Sequence, residues 1–224
     1  MHAKRNQIIL AIILSGFVFA ALAFLRLLPA AHSLDVFAAR EALLLRNPAL
    51  TAFLATLTEL FSIPVLLIVF AGMLAVLFFE PNKKPASFLL VSGLLSAALF
   101  AAAKLMIHSA RPAGALIAAS GFGFPSGHAA VATTFFIFLG FLFEHVSRSR
   151  GVRLLFNLLS ACMIVAVSLS RVILGVHWLS DVLAGMALGV FSSAVARLYF
   201  DPTEKFSKPE SISKIFKKSW KRAS

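Results

Sequence analysis

The sequence is poor in charge and has almost no cysteine. Only 13% of its 224 residues are charged, and a single cysteine, Cys162, excludes an intrachain disulfide. Among the charged residues the acidic ones are the minority, with nine against 21 lysines and arginines. With 60% hydrophobic residues and a mean hydropathy of +0.92, the composition is too apolar for a soluble globular protein. The composition therefore predicts an integral membrane protein, and the length of the chain allows one domain of ordinary size.

The formal net charge of +12 would suit a nucleic-acid-binding protein, but the placement of the basic residues argues against that class. They lie between hydrophobic stretches and in the C-terminal tail, where membrane topology and anionic lipid headgroups account for them. A nucleic-acid binder is expected to carry a basic face with interleaved aromatic residues. We therefore expect the bilayer to be the partner, with no nucleic acid and no obligate protein partner.

Six hydrophobic stretches predict an all-α fold, a six-transmembrane helical bundle, because backbone in lipid must satisfy its own hydrogen bonds. The first stretch follows Lys4 and Arg5 as a secretory signal would, but its length of about 21 residues favours an anchoring helix over a signal cleaved after Ala31. We expect residues 1–200 to form the membrane domain and 201–224 a basic cytoplasmic tail. The stretches cover residues 8–28, 60–79, 86–107, 127–143, 154–169 and 176–200.

Basic residues between the stretches predict the orientation of the bundle. Most of them gather at one end, which the positive-inside rule makes cytoplasmic. Both termini are then cytoplasmic in a multi-pass protein of the inner membrane, and the polar segments described below are extracytoplasmic. The residues at the cytoplasmic end are Lys4, Arg5, Lys83, Lys84, Arg148, Arg150, Arg153, Arg197 and the tail lysines.

Two segments outside the spans have amphipathic patterns. Residues 34–57 predict one or two short helices at the outer membrane interface, or else only an extended first turn of the second span. Residues 212–222 of the tail predict a basic amphipathic helix on the inner leaflet, or else a disordered basic tail.

Ionisable side chains occur in three short polar segments at the ends of the hydrophobic stretches. Charged groups at membrane depth are costly, so such a cluster indicates a functional site. Three cations, two imidazoles and one carboxylate describe a pocket for an anion that also transfers protons. The six residues are Lys104, Arg111, His128, Arg171, His177 and Asp181.

The first segment carries two of the cations. Lys104 and Arg111 are seven residues apart and would face the same way on a continuous helix. Because Pro112 disfavours helix at the preceding residue, we expect the helix to end before Arg111, which then reaches over the site. The alternative is that Lys104 extends to the interface and Arg111 is an ordinary loop charge.

The second segment begins the fourth span. Ser126 is a good N-cap, Gly127 allows a ligand close to the backbone, and His128 falls in the first turn. Free N–H groups and the partial positive charge of a helix N-terminus suit a phosphate. A plain helix start with an interfacial histidine is the alternative.

The third segment pairs an imidazole with a carboxylate. His177 and Asp181 are spaced i and i+4, which predicts neighbours on one helix face. A carboxylate that accepts from one ring nitrogen leaves the other basic, as in a nucleophile or general base. A buried structural pair is the alternative. Zinc bound by His108, His128 and His177 is disfavoured, because the neighbouring cations would repel it; we expect no metal.

These segments read KLMIHSARP at 104–112, PSGH at 125–128 and SRVILGVHWLSD at 170–181. They resemble the three-part signature of the phosphatidic acid phosphatase type 2 superfamily at every position. The resemblance implies that His177 attacks phosphorus and forms a phosphohistidine while Asp181 orients it. It also implies that His128 protonates the leaving oxygen and then activates water, without a cofactor. The groups implied to hold the phosphate oxygens are Lys104, Arg111, Arg171, Ser126 and the Gly127 amide.

The resemblance implies a lipid phosphate or diphosphate as substrate. Undecaprenyl diphosphate is the first expectation, and phosphatidylglycerophosphate, phosphatidic acid and a lipid A phosphate are the alternatives. His108 and Glu59 are second-rank candidates for headgroup contacts. A vanadate haloperoxidase shares the signature, but six spans disfavour it. A transporter would be expected to spread polar residues through the spans rather than gather them at one end.

Overall fold

The computed structural model describes residues 2–28 and 32–200, and this part of the chain is helical with no strand. The predicted tail helix and the cleavage position after Ala31 lie outside the described residues. The helices are α1 His2–Arg26, α2 Ser33–Leu44, α3 Pro48–Leu60, α4 Ile63–Phe79, α5 Lys84–Met106, α6 Gly127–Val146, α7 Arg150–Ile173 and α8 Leu179–Tyr199.

Within residues 2–28 and 32–200, six helical segments are long and apolar enough to cross a membrane, which confirms the predicted all-α, six-span fold. Large hydrophobic side chains such as Phe17, Ile68 and Phe79 lie exposed on the outward faces, as expected where lipid takes the place of water. The six segments are Arg5–Arg26, Pro48–Phe79, Lys84–Met106, Gly127–Glu144, Arg150–Ile173 and Leu179–Tyr199.

Two short helices, α2 and α3, precede α4. Asn47 caps α3 by accepting a hydrogen bond from the Leu50 N–H at 2.8 Å, and Pro48 follows it at the helix start, where the missing N–H costs nothing. Helix α2 packs on α7 and α8, and α3 packs on α7. They therefore reach the end of the bundle at which α7 stops and α8 begins.

Helices α6 and α8 form the centre of the bundle and approach closely at two glycines of α8. A Cβ atom at Gly189 would lie 2.7 Å from the Thr133 Cβ and 2.8 Å from the Ala130 carbonyl oxygen, and one at Gly185 would strike the Ser126 carbonyl. Small residues four apart are the usual means of close helix contact in membranes. This contact brings the start of α6 against the start of α8.

The alternation of the spans puts one end of five helices together. Helices α1, α5 and α7 end where α6 and α8 begin, and hydrogen bonds from Arg26 to Asp181 and from Arg111 to His177 connect these ends. The three polar segments are thereby brought to one place.

Candidate active site

The centre of the site is the contact between His177 and Asp181. His177 Nδ1 lies 3.4 Å from Asp181 Oδ2, and the two side chains are 4% and 0% exposed. The prediction that the two residues share a helix face is wrong, because α8 begins at Leu179 and His177 precedes it. They meet because Asp181 lies in the first turn of α8 and its carboxylate folds back over the helix start.

The protonation pattern of the His177 ring is set from both sides. Asp181 can only accept, so Nδ1 carries the hydrogen. On the other side Arg111 Nη1 lies 3.1 Å from Nε2, and a guanidinium can only donate. Nε2 therefore presents its lone pair, which is the form of imidazole that attacks an electrophile.

Burial lowers the pKa of the His177 imidazole below its ordinary value, and the cations Arg111 and Arg171 act in the same direction. The hydrogen bond and charge of Asp181 oppose them without cancelling them. At neutral pH the ring is consequently neutral, and the lone pair of Nε2 faces the Arg111 donor.

Arg111 and Lys104 both donate to the loop that joins α5 to α6. Helix α5 ends at Met106, as expected before Pro112, and the chain turns so that Arg111 reaches His177. The Arg111 guanidinium donates to the carbonyls of Ser120, Gly121 and Val176 at 2.8, 3.0 and 2.7 Å. Lys104 donates to the next carbonyl, that of Phe122. The two cations thus hold segment 120–122 against the site.

The third predicted cation, Arg171, lies in the last turn of α7 with only 4% of its surface exposed. Its Nη1 donates to the buried hydroxyl of Thr58 in α3 at 2.6 Å. Glu59, the second-rank candidate, follows Thr58 directly; it is exposed, and its charge acts on Arg171. Helix α3 therefore supports the end of α7 that carries Arg171.

Ser126 occupies the N-cap position of α6, but its hydroxyl makes no cap hydrogen bond. Instead its N–H donates to the Asp181 carbonyl at 2.9 Å, and the hydroxyl is buried without a partner among the described residues. At Gly127 a Cβ atom would lie 2.9 Å from Ile63 Cδ1 and 3.1 Å from Phe100 Cε2. Both atoms belong to side chains, so packing favours glycine there, but a shift of Ile63 could admit a methyl group.

His128, in the first turn of α6, lies within electrostatic reach of Arg111, Arg171 and His177. The structure thus gathers all the signature residues at one end of the bundle. His108 lies at its edge, exposed, with its ring 4.3 Å from that of Phe122. Among residues 2–28 and 32–200, no three His, Cys, Asp or Glu side chains lie together as a metal site would require.

Sequence reasoning missed four residues of the site: Arg26, Asp35, Thr58 and Ser180. Arg26 Nη2 donates to Asp181 Oδ1 at 3.0 Å, across 155 residues of sequence. No local pattern indicates such a contact. The one available signal in the sequence was the rarity of aspartate, of which the chain has three. Two of the three bind this arginine.

The helical bundle, and the His–Asp pair beside a guanidinium at one end of it, are features of a membrane-embedded phosphoryl-transfer enzyme. The family model of the PAP2 superfamily matches residues 85–204. Phosphatidylglycerophosphatase B of Bacillus subtilis (strain 168) is 31% identical over 186 residues, which are 79% of this chain and 88% of that protein. The chain belongs to the PAP2 superfamily and is a multi-pass membrane lipid phosphatase.

Two solved structures share the fold. The crystal structure of a transmembrane PAP2-type phosphatidylglycerolphosphate phosphatase from Bacillus subtilis matches with a TM-score of 0.74 and 28% identity, over 87% of this chain and 98% of that one. The crystal structure of Aquifex aeolicus LpxE matches with a TM-score of 0.60 over 73% of this chain and 94% of that one. At 24% identity, the second match supports the fold alone.

Proposed function

We propose that the protein hydrolyses a lipid phosphate at the extracytoplasmic face of the membrane through a phosphohistidine on His177, with phosphatidylglycerophosphate as the first substrate. The observation that carries the proposal is the His177 ring, whose Nδ1 hydrogen faces Asp181 while Nε2 faces the Arg111 guanidinium. A nucleophile with a lone pair beside a fixed cation is what attack on a phosphate requires.

The reaction takes two steps. In the first, His177 Nε2 attacks phosphorus, the P–O bond to the lipid breaks, and His128, as the imidazolium ion formed when the anionic phosphate binds, gives its proton to the departing oxygen. In the second, neutral His128 takes a proton from water, whose oxygen attacks phosphorus as the P–N bond breaks. The products are the lipid alcohol and inorganic phosphate, and His177 and His128 return to their starting states.

Fixed cations stabilise the charge that spreads over the phosphate oxygens. Arg111, Lys104 and Arg171 supply the compensating positive charge, and Arg111, whose nitrogens all face protein groups, must turn a donor toward the substrate. The buried Ser126 hydroxyl and Arg171 Nε have no partner among the described residues, and buried donors of this kind are costly unless a ligand or water binds them. Because these groups provide the positive charge, we propose that the reaction needs no metal and no cofactor.

The choice of phosphatidylglycerophosphate rests on the relatives, since a phosphatidylglycerophosphatase is among them by sequence and by structure. Undecaprenyl diphosphate, the first expectation from the sequence, gains no support from the comparisons. It stays in the test panel with phosphatidic acid and a lipid A phosphate. His108 and Glu59 are proposed as headgroup contacts because both border the cations of the site.

The orientation is proposed from the basic residues. Lys83 and Arg150 lie beside the ends of α4 and α7 that are remote from the site, and Arg197 is in the last turn of α8. The positive-inside rule then puts the site outside and both termini in the cytoplasm. Residues 1–200 would form the catalytic domain, and 201–224 a basic tail on the anionic inner leaflet.

Phosphate release from a panel of the four lipids, by purified protein with EDTA present, tests the function. We expect phosphatidylglycerophosphate to be hydrolysed, and His177→Ala to lose at least several orders of magnitude of turnover, as removal of a nucleophile does. Arg148→Ala is the control, because it removes an exposed side chain between α6 and α7, at the end of the bundle remote from the site, and should retain turnover. Full turnover by His177→Ala would refute the nucleophile, and abolition by EDTA would refute metal independence.

A further inference from the structure

We infer that Arg26 and Asp35 form a buried charge pair that positions the Asp181 carboxylate and sets how tightly the His177 imidazole holds a proton. This makes Arg26 a positioning residue contributed by the first transmembrane helix. The inference deepens the proposed function and rests on it for the role of His177. Neither Arg26 nor Asp35 belongs to the three polar segments of the signature.

The geometry is a guanidinium shared by two carboxylates. Arg26 Nη1 lies 3.0 Å from Asp35 Oδ2, and Nη2 lies 3.0 Å from Asp181 Oδ1. The three side chains are 3%, 5% and 0% exposed. Charges so far from water depend on each other, and loss of one partner leaves the others uncompensated. Arg26 also lies in the last turn of α1, where helix carbonyls favour a cation.

Asp35 is fixed in turn by α8. Its Oδ1 accepts from the Ser180 N–H at 2.8 Å, and its Oδ2 accepts from the Ser180 hydroxyl at 2.7 Å. Since Ser180 precedes Asp181, the contacts close a ring from Arg26 through Asp35 and Ser180 back to Asp181. The ring joins α1 and α2 to the first turn of α8.

The ring leaves the Asp181 carboxylate no freedom to rotate. Its Oδ1 is bound by Arg26, and its Oδ2 faces both His177 Nδ1 and the Trp178 N–H, the latter at 3.0 Å. Without Arg26 the carboxylate would keep contacts at one oxygen only. A carboxylate that turns no longer fixes the tautomer and the direction of the imidazole.

The charges predict that removing Arg26 and removing the Asp35 charge shift the pKa of His177 in opposite directions. Removing Arg26 takes a positive charge away from two buried carboxylates, so the Asp181–His177 pair binds a proton more tightly and the His177 pKa rises. Removing the Asp35 charge does the reverse, because Arg26 then acts on Asp181 alone. The charged and titratable groups around His177, element by element, are Arg26 on α1, Asp35 on α2, Glu59 on α3, Lys104 on α5, Arg111 in the following loop, His128 on α6, Arg171 on α7 and Asp181 on α8.

Two measurements test the inference, one independent of turnover. Ring-nitrogen NMR of ¹⁵N-histidine protein in detergent, assigned with His177→Asn, follows the titration of His177. The pH profile of kcat/KM for phosphatidylglycerophosphate follows it through the acidic limb. We expect Arg26→Met to raise both the NMR pKa of His177 and the midpoint of the acidic limb by about one pH unit or more. Asp35→Asn should lower both values.

Two further variants separate charge from geometry. Arg26→Lys keeps the charge but has no fork to join two carboxylates, so we expect an unshifted acidic limb and a kcat lower by roughly tenfold to a hundredfold. Arg40→Met removes an exposed arginine from α2 and should leave both measurements at their wild-type values.

Opposite shifts in Arg26→Met and Asp35→Asn support the inference, and unshifted or same-direction titrations overturn it. If Arg26→Met does not fold, Asp35→Asn decides alone through the sign of its shift. A wild-type protein that hydrolyses none of the lipids would refute the proposed function. The NMR titration of His177 would still decide between a charge pair that controls its proton and one that only joins helices.

Discussion

At the scale of single residues, several buried charged groups of the site form hydrogen bonds with neutral partners. Arg171 is supported by a neutral hydroxyl, that of Thr58 in α3, at 2.6 Å, and both residues are buried. A guanidinium with a fixed partner at one nitrogen can direct another toward a substrate oxygen. Thr58 is therefore the residue that aims this cation.

Replacing Thr58 with Val keeps the shape and removes the acceptor, so a buried guanidinium N–H loses its partner. We expect a loss of about 1–3 kcal/mol in unfolding free energy and a higher KM with a smaller change in kcat. Thermal unfolding in detergent and steady-state phosphate release measure the two effects. Thr58→Ser keeps the hydroxyl and is the control; an equal loss in Thr58→Ser would show that packing of the methyl group, and not the hydrogen bond, matters.

The signature side chains that gather at the site could be predicted from the sequence, and the residues that hold them in place could not. Lys104, Arg111 and His177 stand out because ionisable groups are rare in apolar helices. Thr58 and Asp35 carry no such signal, because a threonine in a helix and an aspartate in an amphipathic segment are ordinary residues. Their roles arise only when α2 and α3 fold against α7 and α8, which is information from the three-dimensional fold.

At the scale of helices, the length of the hydrophobic stretches predicted the spans, with boundaries that differ by a few residues, and it placed the start of α8 too early. The sequence pattern extended the last span back to residue 176, whereas the helix begins at Leu179. Trp178 has no side-chain acceptor for an N-cap, so the usual start signal is missing. The Asp181 carboxylate accepts the Trp178 N–H instead, and the same oxygen faces His177. One carboxylate thus serves both the helix start and the nucleophile.

The contact between α6 and α8 is the element-scale feature most sensitive to size. We expect Gly189→Ala to lower the unfolding free energy by about 1–3 kcal/mol, because its methyl group would meet the Ala130 carbonyl and Thr133 with no flexible side chain to yield. Thermal unfolding in detergent measures the loss.

Gly72→Ala is the matched control for that substitution. Gly72 lies within α4, and nothing is within 4 Å of the position a Cβ would take. Alanine is the better helix former, so this variant should be neutral or slightly stabilised. Equal losses in the two variants would mean that the close approach of α6 and α8 does not limit stability.

At the scale of the whole molecule, the up-and-down path of the spans separates two kinds of charge. The ends of α1, α5 and α7 and the starts of α6 and α8 hold cations in a compact site where carboxylates and carbonyls satisfy them. The opposite ends hold Lys84 and Arg150 beside short turns, which the proposed orientation puts at the headgroups of the inner leaflet. In the proposed function, the same excess of basic residues serves topology at one end and phosphate binding at the other.

This separation predicts which loops reach the outside of the cell. In a Cys162→Ala background, which removes the single cysteine, Ala118→Cys places a thiol in the loop beside the site and Pro81→Cys places one between α4 and α5. A membrane-impermeant thiol reagent should label Ala118→Cys in intact cells with the outer barrier opened, and should label Pro81→Cys only after the inner membrane is permeabilised. Both positions are exposed in the fold, so a difference between them reports the side of the membrane. Labelling of Pro81→Cys alone in intact cells would place the site on the cytoplasmic face. It would then follow that the polar site had overridden the positive-inside bias.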